Sequence, residues 1–179
     1  DAYRVTITND DGNNNYEVAD AAVVSITTGN GNNHFEIADS ADITLVAGDG
    51  NNRFEIESDN SDDTTEPNYS LDYPSHVSIT VGDGQNDFDI EVDSYIGVLH
   101  VTAGDGGNTI DALGHELNID SGSSKAAIRV LADKIVINSG GGGDTITIGG
   151  FSNDLAEAIG GGSSGSGEYG DGAFPALGA

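Results

Sequence analysis

Residues Thr28–Ile37 read TGNGNNHFEI, and 19 residues further on Ala47–Ile56 read AGDGNNRFEI. The phrase returns as VGDGQNDFDI at Val81–Ile90 and stands earlier as NDDGNNNYEV at Asn9–Val18. Looser copies are AGDGGNTIDA at Ala103–Ala112 and SGGGGDTITI at Ser139–Ile148. With the second small residue of each turn as anchor, the series is Gly12, Gly31, Gly50, Gly84, Gly106, Ser124 and Gly142, spaced 19, 19, 34, 22, 18 and 18. The unit is thus 18–19 residues, with a long insertion after the third copy and a short one after the fourth. A fixed period of this size is the mark of a stacked repeat.

Columns read down the seven copies show what stacks. Seven before the anchor stand Val5, Val24, Ile43, Val77, Leu99, Leu117 and Ile135, and five before it Ile7, Ile26, Leu45, Ile79, Val101, Ile119 and Ile137. Four after it come Tyr16, Phe35, Phe54, Phe88, Ile110, Ile128 and Ile146, and six after it Val18, Ile37, Ile56, Ile90, Ala112, Val130 and Ile148. All 28 positions are apolar in a chain that is 36% apolar. The spacing of two within each pair is the strand period, so each unit reads as strand, Gly-rich turn, strand, second turn. One unit cannot bury its apolar face alone, whereas stacked units share a continuous core. The expected fold is all-β, a parallel two-sheet β-solenoid of about seven coils, right-handed by the general chirality of parallel crossovers and about 34 Å long at ~4.8 Å per rung. An 18–19-residue unit leaves no room for helices between strands.

The chain divides into a solenoid over 1–150, with an acidic loop inserted at 57–76, a short capping helix over 151–160, and a Gly/Ser-rich tail with an apolar end over 161–179. Phe151–Ile159 carries Asp154 and Glu157 at capping-box spacing, with Gly160 as a stop. The insertion gathers Asp59, Asp62, Asp63, Glu66 and Asp72 with Tyr69, Tyr73 and two prolines. It reads by default as a solvated acidic loop, with a bound calcium ion, or contact with a partner or a sugar, as the sharper alternative.

Composition narrows the function classes. Thirty-one acidic residues against 5 basic ones leave a net charge of −26, which repels phosphate backbones and anionic lipid, so nucleic-acid binding and membrane-surface binding are disfavoured. No apolar run reaches the roughly 18 residues of a membrane span. The absence of Cys excludes disulfides and thiol chemistry, and the absence of Met suggests a processed chain or an excised piece. His34, His76, His100 and His115 show no metal-ligand spacing, and His34 falls in an outward column where exposure is expected. Nearly every carboxylate is a repeated copy, whereas an enzyme needs a unique constellation, so no catalytic residue is assigned.

The turn phrase, small–Gly–Asp–Gly–x–Asn–x–Phe–x, resembles the calcium-binding nonapeptide GGxGxDxUx of repeats-in-toxin (RTX) β-rolls, on one of the two turn rows over about residues 5–148. SGGGGDTIT at Ser139–Thr147 is the nearest copy, with Asp144 at the family's ligand position. The resemblance implies calcium in the turns. At the other ligand positions stand Asn14, Asn33, Asn52, Asn86, Asn108 and Ala126, and the opposite turns read ADAAV and ADSAD instead of a second nonapeptide. For the Asn row the favoured reading is an amide ladder, each side chain donating to one neighbouring rung and accepting from the other. The calcium reading would draw on turn carbonyls with Asp11, Asp49, Asp83 and Asp105, each one residue before its anchor. An outward acidic column, Glu17, Glu36, Glu55, Asp89 and Asp111, sets carboxylates about 5 Å apart; the favoured reading is a solvated acidic face that keeps the rod soluble, with a relieving cation atmosphere as the alternative.

These features together point to a non-enzymatic extracellular or cell-surface protein, an acidic solenoid block of a filament, surface layer or adhesin stalk. Its expected partners are copies of itself, head to tail through the C-terminal tail or last rung, and surface polysaccharide. The alternative is a calcium-binding accessory domain of a larger secreted lipase, protease or polysaccharide epimerase.

Overall fold

The computed structural model describes residues 3–58, 76–92 and 96–149. Those residues form twelve β-strands and no helix. In chain order they are β1 (Arg4–Thr8), β2 (Asn15–Val18), β3 (Val23–Thr27), β4 (His34–Ala38), β5 (Asp42–Ala47), β6 (Arg53–Ser58), β7 (His76–Val81), β8 (Asp87–Val92), β9 (Ile96–Ala103), β10 (Thr109–Asp120), β11 (Ala127–Asn138) and β12 (Thr145–Ile148). Every pairing is parallel, and strands one coil apart pair: β1, β3, β5, β7 and β9 on one face, β2, β4, β6 and β8 on the other. The register follows the repeat columns, Tyr16 against Phe35, Phe35 against Phe54, Phe54 against Phe88 and Phe88 against Ile110. The described residues form a parallel β-solenoid of about six turns, close to the seven coils expected.

The core is the space between the two faces. Phe35, Phe54 and Phe88 are fully enclosed, and with Tyr16 their rings stack down the rod at centroid spacings of 5.0, 4.7 and 4.9 Å. That spacing is the inter-strand distance, so the aromatic column is a direct product of the register. The end rungs are less covered: Val5, Ile7, Val18, Ile135, Ile137 and Ile148 are partly buried, and Ile146, expected in the core, is 44% exposed. Among the described residues it has a rung on one side only.

Two expectations need correction, the bounds of the insertion and the second turn, and others lie outside the described residues. Strand β6 runs to Ser58 and β7 starts at His76, so the insertion shrinks to 59–75, outside the described residues. The capping helix expected at 151–160 and the tail at 161–179 also lie outside them. The second turn is not universal: β10 and β11, 12 residues each, run unbroken from one face to the other and join both into one hydrogen-bonded sheet. The reason is one residue. From Val18 to Val24 and from Ile37 to Ile43 the core columns are six positions apart, and the extra residue is accommodated by Asp20 and Asp39 at φ 58° and 46°. From Ala112 to Leu117 and Val130 to Ile135 they are five apart, and the strand bends through the corner over buried Leu113, Leu131 and Ala132.

Candidate functional site

The Gly-rich turns stack into three side-chain ladders. The innermost is the Asn column, in which Asn33, Asn52, Asn86 and Asn108 are each at most 2% exposed. The Asn14 amide nitrogen donates to Asn33 Oδ1 at 3.0 Å, Asn33 to Asn52 at 2.9 Å, Asn52 to Asn86 at 3.1 Å and Asn86 to Asn108 at 3.0 Å. Each receiving oxygen also accepts the backbone N–H of the Asn one rung before, at 3.1–3.3 Å. The column breaks at Ala126, where Asn108 turns its amide to the Ser121 carbonyl at 3.1 Å, and Ala126 N–H donates to Asp144 Oδ1 at 2.8 Å. Ser121 Oγ, fully buried beside this gap, has no hydrogen-bond partner.

Two outer ladders run with the opposite sense. Asp11, Asn30, Asp49, Asp83 and Asp105 each accept, through Oδ1, the backbone N–H of the equivalent residue one rung later, at 2.7–2.9 Å. Asn13, Asn32 and Asn51 do the same for Asn32, Asn51 and Gln85 at 2.8–2.9 Å. These bonds require turns packed backbone to backbone. A Cβ on Gly84, whose φ is +145°, would stand 2.0 Å from the Gly50 carbonyl oxygen, closer than any real Cβ contact.

The residues singled out as metal ligands therefore already have partners. Asp11, Asp49, Asp83 and Asp105 lie in one column, each with Oδ1 engaged, and Asp105 is held below the usual carboxylate range by the Ser123 hydroxyl and N–H at 2.6 and 2.8 Å. Asp144 is lowered too, first by the Ala126 N–H and then by Ser139. Asp59, Asp62 and Asp63 lie outside the described residues. The interior of the turn does not suit calcium held between rungs, because every receiving Asn Oδ1 accepts two N–H groups and no carboxylate enters the column before Asp144. Calcium at the Asp11 column would bind from outside, through the other carboxylate oxygen.

The acidic face is partly neutralised from within. Register places Glu17, Glu36, Glu55, Asp89 and Asp111 side by side on successive rungs. Arg53 donates Nε to Glu55 Oε1 at 2.7 Å and approaches Asp87 at 3.9 Å, while Arg129 donates to Asp111 at 2.9 Å. His34, expected to be merely exposed, is half-buried with Nε2 2.8 Å from Glu55 Oε2. This hydrogen bond, with Arg53 behind it, holds the Glu55 carboxyl below its ordinary range. Asp111 goes the other way: burial raises it, against the pull of Arg129. Among the described residues, His34, Glu36 and Glu55 form the one His/Asp/Glu group with ligand atoms within 4.8 Å of one another. The sequence did hold a signal for it, since adjacent outward columns on neighbouring rungs put His34 beside Glu55.

Among the described residues, the Asn and Asp side chains of the Gly-rich turns thus bind rung to rung. Comparison with protein-family models, curated proteins and solved structures returns no match.

Proposed function

We propose that this chain is a non-enzymatic structural rod, an acidic building block of an extracellular or cell-surface filament, surface layer or adhesin stalk, in which copies meet head to tail. One observation carries the reading: the Asn and Asp side chains of the turns are engaged in three rung-to-rung ladders. Such turns resist bending and local opening, which suits a load-bearing element. The remaining chemistry, a surface of net charge −26, supports solubility and recruitment of cations such as calcium as external counter-ions. Negative-stain microscopy and sedimentation velocity of the full chain test the proposal. Rods that lengthen with concentration support it, and a strict monomer at high concentration, with and without calcium, removes it.

Asp144 favours a second reading. Asp144 is the one residue that matches the RTX ligand by type among the seven equivalent turn positions, which supports a calcium-binding accessory domain of a larger secreted enzyme. A catalytic domain in the same reading frame would decide for it.

A further inference from the structure

The two ends of the rod match each other. At one end Val5, Ile7 and Val18 are only partly covered, and at the other Ile135, Ile137 and Ile148 stand in the same repeat columns, equally half-covered. Ile146, 44% exposed, falls in the column headed by Tyr16.

Hydrogen-bond polarity matches as well. Within the chain, the anchor N–H groups of Gly12, Gly31, Gly50 and Gly84 each donate to a carbonyl one rung later, at 2.7–2.9 Å. Asn N–H groups likewise donate to Oδ1 one rung later, and strand-entry N–H groups donate one rung back, His34 to the Asn14 carbonyl at 2.9 Å. No described rung follows Gly142 and Asp144, and none precedes Asp11, Asn14 and Asn15. The N–H groups of Gly142 and Asp144 are thus donors of the kind that the Asp11 carbonyl and Asn14 Oδ1 receive, and the Asp144 carbonyl is an acceptor of the kind that Asn15 N–H requires.

We infer that the last rung of one copy stacks directly on the first rung of the next, in the parallel register that the chain itself uses six times between its own rungs. This rests on the head-to-tail reading above and specifies its surface: the rungs themselves make the joint, not the C-terminal tail. The contact is heterologous and does not close, so it propagates. One column opposes it, since Lys134 comes to lie over Arg4, and copies of charge −26 repel at long range. Association therefore strengthens with added salt, which screens charge beyond roughly 8 Å at physiological ionic strength.

A cysteine-free chain makes the register testable. Thr8 and Asn138 occupy the same exposed outward column through the pairs Thr8–Thr27, Thr27–Val46, Val46–Thr80, Thr80–Thr102, Thr102–Asp120 and Asp120–Asn138. Six steps separate them within one molecule, about 29 Å, whereas across the proposed joint their Cα atoms lie ~4.8 Å apart, inside the disulfide range. The full chain carrying Thr8→Cys and Asn138→Cys is oxidised in raised salt and run on a non-reducing gel beside sedimentation velocity, with circular dichroism as a folding check. A covalent series of dimers, trimers and longer products is expected. Oligomers in sedimentation with no such series overturn the rung-on-rung joint while leaving head-to-tail assembly standing. So does a series from Thr8→Cys with Leu177→Cys in its place, which would assign the joint to the tail. Products of Thr8→Cys alone that reach dimer as readily as the double variant would overturn it in favour of head-to-head pairing. Monomers throughout remove both readings.

Discussion

Replacing Asn52 by Ala tests the inner ladder at its centre. The side chain accepts from Asn33 N–H and Nδ2 at 3.1 and 2.9 Å and donates to Asn86 Oδ1, Gly50 O and Gly48 O at 3.1, 3.2 and 3.4 Å. Some partners have a second bond: Asn33 Nδ2 keeps Gly31 O at 3.1 Å, and Asn86 Oδ1 keeps the residue-52 N–H at 3.1 Å. The Asn33 N–H and the Gly50 carbonyl lose the bond described for them, as does the Gly48 carbonyl its longer one at 3.4 Å. At about 1–3 kcal/mol for each buried polar group left unsatisfied, the expected cost is about 4 kcal/mol. Asn51→Ala is the matched control. Its Oδ1 accepts one N–H, from Gln85 at 2.9 Å, on an exposed turn where water replaces it, and the cost should stay below about 1 kcal/mol. Urea denaturation followed by far-ultraviolet circular dichroism, with the m-value required to stay constant, reads both variants. Equal costs for the two, or a loss at Asn52 under about 1 kcal/mol, would refute the claim that the buried amides and not the backbone alone hold the turns in register.

Three further outcomes follow from the same geometry. Gly84→Ala should abolish folding at 37 °C or lower the melting temperature far more than Gly143→Ala, because a Cβ at Gly143 (φ +79°) meets nothing within 4 Å; similar melts would contradict the close backbone stacking. Glu55 has a depressed pKa, so its contribution is present above the unfolded carboxylate value of about 4.3 and is lost as pH falls through the lower folded value. The stability gap between wild type and Glu55→Gln, measured by urea titration, should therefore close between pH 6 and pH 3, and a gap that widens over that range would be the wrong sign. Calcium, as a counter-ion concentrated by the folded face, should raise the melting temperature over EDTA at matched ionic strength, and Asp144→Ala should reduce that rise more than Asp120→Ala; identical melts would remove calcium from the account.

The fold was legible where one side-chain type repeats over several successive rungs. Phe35, Phe54 and Phe88 stack ring on ring before the column passes to Ile110, and the Asn column recurs because each amide needs its neighbour. Legibility fails where the constraint is only size. Thr28, Ala47, Val81, Ala103 and Ser121 form a fully buried column three residues before the anchor, and their mixed polarity hides it, since any small side chain fits behind the turn. The loss of the second turn could have been read from the five-residue step between Ala112 and Leu117, but only with the positive φ of Asp20 and Asp39 as a reason. The acidic residues before each anchor read as ion ligands because a sequence lists a carboxylate without its donor. That donor here is a backbone N–H 18 to 34 residues away, supplied by stacking.

Because each ladder bond joins a residue to its own equivalent, the rungs are interchangeable parts. Excising residues 31–49 would join Asn30 to Gly50 and restore the phrase TGNGNNRFEI across the cut. Strand β3 would then lead into β6, Asn14 would find Asn52 in place of Asn33, and Asn30 would receive the N–H of Asp83 in place of Asp49. Every type of bond is remade, and the rod is shorter by one step of ~4.8 Å. Gain or loss of a whole unit leaves no scar in the interior, whereas a change of a few residues misaligns all three ladders at once. Length in such a molecule is thus a quantised variable, adjustable by duplication without redesign of the core, and a lineage can tune the reach of the rod while its chemistry stays constant.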